Sequence, residues 1–98
     1  MNISKALNGS ALTVSVEGRL DTTTAPELEA VIKNELAGVT DLSFDFAKLD
    51  YISSAGLRVL LSAQKTMAKQ GKMKITGANE IVMEIFNVTG FADILTIE

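Results

Sequence analysis

Two groupings of residues in this chain could do chemistry on something else. Ser53 and Ser54 are neighbouring hydroxyls within Asp50-Tyr51-Ile52-Ser53-Ser54-Ala55-Gly56-Leu57-Arg58, where an extended stretch gives way to an apolar helix. Ser62 and Lys65 stand in Ser-x-x-Lys spacing, with Lys-Ile-Thr-Gly following at 74–77. A serine nucleophile needs a group to take its proton. The sequence has no histidine, which removes the commonest base and metal ligand, and no cysteine, which removes thiolate chemistry and disulfides. Ile52 stands where a nucleophile elbow requires glycine, two places before Ser54. Ser62 falls in mid-helix, and no Ser-Asp-Asn element accompanies it. The residues point away from hydrolysis, and the chain reads as a non-enzyme without metal or cofactor.

Two roles remain for the paired serines. One is structural: a serine before a helix accepts a hydrogen bond from an orphan N–H of the first turn, and Ser53 is placed for this. The other is a switch. A phosphoryl group on Ser54 adds about 1.5 to 2 negative charges and three acceptor oxygens. At a helix N-terminus the dipole favours that charge by only ~0.3–1 kcal/mol, so the fold is expected to survive. Within an interface an unmatched buried charge costs several kcal/mol. Each ~1.4 kcal/mol is tenfold in affinity, so binding is expected to fall a hundredfold or more. Small Ala55 and Gly56 are expected to leave the hydroxyls and backbone open to an approaching partner.

The elements that must position these residues follow from periodicity. Ile3 to Leu7 and Ala11 to Gly18 flank Asn8-Gly9, a pair that takes positive φ at both turn positions and predicts a hairpin. Leu12, Val14 and Val16 alternate with Thr13, Ser15 and Glu17, giving one dry face. A helix is predicted after Thr24, with Pro26 in its first turn and Glu27 completing a capping box. Its inner face is Leu28, Val31, Ile32 and Leu36.

A strand is predicted over Asp41 to Phe46, then a helix from the serines to about Gln70, with Leu57, Leu60, Leu61, Gln64, Met67 and Ala68 on one stripe. Lys-Met-Lys-Ile-Thr is a strand; Asn79 caps a helix with Val82, Ile85 and Phe86 inward; Gly90 stops it; Ile-Leu-Thr-Ile is a last strand. The order β-β-α-β-α-β-α-β predicts an α/β fold: a mostly parallel central sheet, an N-terminal hairpin, and helices packed on the sheet.

Ninety-eight residues suit one domain, and an apolar fraction of 47% suits one core. Nine basic residues against twelve acidic leave a net charge of -3. The one basic cluster, Lys65, Lys69, Lys72 and Lys74, is most simply a solvated helix end. Without a basic face or aromatic platforms, no nucleic-acid partner is expected. No apolar run approaches the ~20 residues of a membrane span, and the N-terminus lacks a signal-peptide layout. A cytoplasmic protein without direct membrane insertion is expected.

Three stretches, VEGRLDTTTAPELE (16–29), LDYISSAGLRVLL (49–61) and VMEIFNVTGFADILTI (82–97), resemble the STAS domain of bacterial anti-sigma factor antagonists. The resemblance implies that the serine two places before Gly-Leu, here Ser54, is the phosphoacceptor. It implies an anti-sigma factor with serine kinase activity as partner, held by the unphosphorylated antagonist so that the sigma factor is freed. It also implies a serine phosphatase that resets the switch. The implied surface joins Asp21, Thr22 and Thr23 to Ser53, Ser54 and Gly56, although turn and cap chemistry would equally explain the aspartate and threonines. Many relatives carry aspartate where this chain has Ser53, so Ser53 is the alternative acceptor. Arg58 stands where relatives often have a small residue; it either attracts an acidic partner or is solvated. Other STAS roles are a partner of a transporter or lipid-trafficking complex, and a small-molecule or nucleotide binder. No glycine-rich phosphate loop favours the last.

Overall fold

Asn8 and Ala11 face one another across the hairpin, leaving Gly9-Ser10 as its two-residue loop. Positive φ falls on Gly9 alone, at +64°, so the turn sits one residue later than the Asn8-Gly9 pair predicts. Glycine in the first loop position suits a turn whose twist matches the strands. The structure, a computed structural model, describes all of residues 1–98. Its elements are β1 (Asn2–Asn8), β2 (Ala11–Leu20), α1 (Ala25–Glu35), β3 (Asp41–Asp45), β4 (Leu49–Ile52), α2 (Ser54–Gln70), β5 (Lys72–Thr76) and α3 (Glu80–Thr89). A 3₁₀ turn over Phe91–Asp93 follows.

The sheet runs β1-β2-β3-β5, antiparallel only at β1–β2. Ten residues make β2 long enough to pair twice: Ala11 to Ser15 align with β3, and Gly18 to Leu20 align with β4, with a bulge between Gly18 and Arg19. Alternation puts Leu12, Val14, Val16, Leu42, Phe44, Met73 and Ile75 on one buried face. Thr13, Ser15, Ser43 and Lys74 lie half-exposed on the other. The helices cover the apolar face, and 24 apolar residues form a single core. No charged or polar residue is buried there, so the core holds by packing alone.

The α/β architecture and hairpin match the expectation; two elements differ from the expected order. Leu49–Ile52 is a strand in its own right, because β2 outruns β3 and leaves backbone partners free for it. The expected last strand is instead the 3₁₀ turn and a single parallel bridge between Ile97 and Ile75. Only Ile75 exchanges bonds there, donating to Thr96 O at 2.9 Å and accepting from Glu98 N at 2.8 Å. The inner face of α2 is also rotated: Gly56, Leu57, Val59, Leu60, Ala63 and Met67 are buried, whereas Leu61 and Gln64 are half-buried and Ala68 is exposed. On α1, Leu28 and Ile32 are buried with Leu36 beyond the helix end, and Val31 is only half-buried. No helix is long and apolar enough to cross a membrane.

Candidate functional site

Parallel pairing of β2 and β4 brings two sequence-distant segments to one edge. Leu20 and Ile52 are register partners, so the residues that follow them, Asp21 and Ser53, leave the sheet side by side. The Ser53 N–H donates to Leu20 O at 2.8 Å, and the Leu57 N–H accepts its place in the helix by donating to Ser53 O at 3.0 Å. Ser53 thus ends the ladder and starts α2. Its backbone is extended, as a capping residue requires, yet its side chain makes no cap bond. The hydroxyl is sealed from solvent without a hydrogen-bond partner.

Ser54 is different. It is the first residue of α2 and is exposed. The two serines therefore present opposite environments, one hydroxyl shut in and one open to solvent. The N–H groups of Ser54, Ala55 and Gly56 have no intrahelical acceptor, which leaves donors beside the open hydroxyl.

Gly56, expected with Ala55 to leave hydroxyls and backbone open to a partner, is buried and faces inward. A Cβ there would lie 2.7 Å from Leu20 Cγ and 2.8 Å from Ile52 Cγ1. The glycine is needed for close packing of α2 on the β2–β4 pair. Arg58 is exposed one helical turn beyond Ser54 on the same face.

The loop after β2 is tied by its own polar groups. Asp21 Oδ1 accepts from the Thr23 N–H at 3.0 Å, the Thr23 hydroxyl at 2.8 Å and the Thr24 N–H at 3.2 Å. Asp21 O accepts from the Ala25 N–H at 2.8 Å, so the turn that begins α1 reaches back to Asp21. The capping box expected from Thr24 and Glu27 is not formed. Thr24 has helical backbone angles and no side-chain cap bond. Its Oγ1 instead accepts from the Asp21 N–H at 2.8 Å and donates to Arg19 O at 2.8 Å. The Glu27 N–H that a Thr24 cap would take donates instead to Thr24 O at 3.1 Å, and the Thr24 N–H that Glu27 would take donates to Asp21 Oδ1. The Thr23 hydroxyl bond holds the Asp21 carboxyl below its ordinary value, against a smaller opposing effect of desolvation and with help from the Thr23 and Thr24 N–H groups. Thr22 and Thr23 are exposed beside it.

Two residues at this edge escaped the sequence reading. Arg19 and Tyr51 are register partners across β2 and β4, and the guanidinium lies over the ring at 4.5 Å from its centroid. Arg19 Nε is also 3.9 Å from Asp21 Oδ2. Recognising β4 as a strand is the signal that would have found them. A concavity of about 280 Å³ lies elsewhere on the open sheet face between Ser4, Ser15, Glu17, Asp45 and Lys48. Ser53 and Ser54 line neither it nor a second concavity of about 190 Å³.

The STAS domain model matches residues 2–98. The chain belongs to the STAS family. This STAS protein is 30% identical over 97 residues to the anti-sigma-B factor antagonist of Staphylococcus epidermidis, covering 97% of this chain and 90% of that one. It superposes on the anti-sigma factor antagonist SpoIIAA in its unphosphorylated form with a TM-score of 0.78, at 16% identity, covering 99% of this chain and 87% of that one. The phosphorylated form of SpoIIAA, a Bacillus cell fate determinant, gives a TM-score of 0.77 at 16% identity, with 99% and 91% covered. These two likenesses establish the STAS fold.

Proposed function

We propose that this STAS protein is an anti-sigma factor antagonist controlled by phosphorylation of Ser54. The unphosphorylated form docks on an anti-sigma factor with serine kinase activity through Ser54, Arg58 and the Asp21–Thr23 loop, and the sigma factor is released. The kinase transfers the γ-phosphoryl group of ATP to Ser54 Oγ; the bond to ADP breaks and the hydroxyl proton is lost. The new charge in the interface ends binding, and a serine phosphatase restores the hydroxyl.

The observation that carries this reading is the exposed Ser54 hydroxyl at the mouth of α2 beside a sealed Ser53. A kinase needs the acceptor oxygen in its own active site, and of the two neighbouring serines Ser54 is the exposed one. The mouth of α2 is itself held by backbone bonds and by Leu20 and Ile52 packing, none of which involves the Ser54 side chain. Phosphate there alters a surface and leaves the core alone.

The test is capture of the cognate kinase-type anti-sigma factor by Ser54→Ala and Ser54→Asp proteins side by side. Ser54→Ala is expected to bind and resist inactivation by ATP; Ser54→Asp is expected to lose binding at least a hundredfold, as a buried unmatched charge requires. Undiminished binding by Ser54→Asp, or phosphate mapped by mass spectrometry to Ser53, overturns the assignment.

A further inference from the structure

Once the partner has left, the charge on a phosphorylated Ser54 has to be accommodated by this chain alone. Ser54 opens α2 and Arg58 follows four positions later, so the two side chains rise from one face a single turn apart. Both are exposed. Arg58 takes part in no ion pair; the paired cations are Lys5, Arg19, Lys33 and Lys74. Of the other charged groups at this end, Arg19 is engaged by Tyr51 and Asp21. Asp50 on β4 and Glu27 in the first turn of α1 are exposed carboxylates that cannot serve as counter-ions. Arg58 is the uncommitted cation on the face of the hydroxyl.

We infer that Arg58 is the internal counter-ion of a phosphoryl group on Ser54, pairing with it across one turn of α2. The inference rests on Ser54 as the modified residue and says where the added charge goes. A guanidinium presents a planar fork of donors that matches phosphate oxygens two at a time, which a lysine ammonium does not. Before modification Arg58 is free to meet an acidic group on the partner. Afterwards it is turned back onto its own helix. One phosphoryl transfer then alters the docking surface twice, adding a charge and withdrawing a cation.

The experiment installs phosphoserine at position 54 by genetic encoding in the full chain, so that no kinase is needed. The second ionisation of the phosphate is followed by ³¹P NMR in the otherwise unchanged protein and in Arg58→Ala, Arg58→Gln and Arg58→Lys backgrounds. The phosphate is expected to ionise roughly 0.15–0.4 pH unit lower with Arg58 than with alanine or glutamine, with lysine between. The difference should shrink at ~0.5 M salt, as screening requires. Superimposable titrations of the Arg58, alanine and glutamine proteins overturn the inference. A cognate kinase that leaves Ser54 unmodified would overturn the switch instead, without moving these titrations, so the two failures are distinct.

Discussion

Leu20 and Ile52 face one another across the β2–β4 ladder, and their side chains together occupy the space that a Cβ on Gly56 would fill. The mouth of α2 is seated by that contact. An alanine at 56 gains up to ~1 kcal/mol of helix propensity. It also forces aside two fully buried side chains, and overpacking of this kind costs ~1–3 kcal/mol. We expect Gly56→Ala to lower the urea unfolding free energy by about 1–2 kcal/mol. An unchanged or higher midpoint would show that α2 sits farther from the sheet.

Ser53 supplies a prediction of opposite sign. Replacing a capping serine by alanine normally costs ~0.5–2 kcal/mol, but that cost is the loss of a cap bond this hydroxyl does not make. What alanine removes is a sealed polar atom without a partner, a burden of about 1–3 kcal/mol when buried. Ser53→Ala should therefore melt at the same temperature or a few degrees higher. A clear drop in melting temperature would reveal a hydrogen bond to that oxygen in solution.

Asp21 should make part of the stability depend on pH. Because its carboxyl ionises below the ordinary value in the fold, the folded state favours the charged form. That contribution is complete above the unfolded carboxyl value, near 4, and is lost as the pH falls through the lower folded value. Asp21→Asn keeps an oxygen for the Thr23 and Thr24 N–H groups but has nothing to titrate. The wild type should exceed Asp21→Asn in unfolding midpoint at pH 6, and the gap should close as the pH drops below about 4. A gap unchanged between pH 6 and pH 3 would assign the difference to something other than ionisation.

Asn79 works in two directions at once. Its Oδ1 accepts from the Val82 N–H at 2.8 Å to cap α3, and its Nδ2 donates to Leu49 O at 3.0 Å at the start of β4. Asn79→Ala should cost about 1–2 kcal/mol. Asn79→Asp keeps the acceptor but not the donor, and should recover only the capping share. Equal losses for the two substitutions, measured by chemical denaturation, would mean that the bond to Leu49 carries the whole effect.

Residues close in the sequence were readable from it. Alternation of Leu12, Val14 and Val16 requires a one-sided strand, spacing of Val82 and Phe86 requires a packed helix face, and Asn79 is the cap it promises to be. Ser54 at the head of α2 also follows from local pattern, since helix onset and the small residues after it lie within four positions. The two hydroxyls, equivalent as letters, are told apart only by the fold, because the register of β4 against β2 turns one inward and leaves the next outside. The same register converts Gly56 from an apparent opening into a close contact, and sets Arg19 over Tyr51 from thirty-two positions away. Periodicity carries side-chain direction along one element. Which element lies beside it depends on backbone hydrogen bonds between distant segments, and those bonds exist only once the chain has folded.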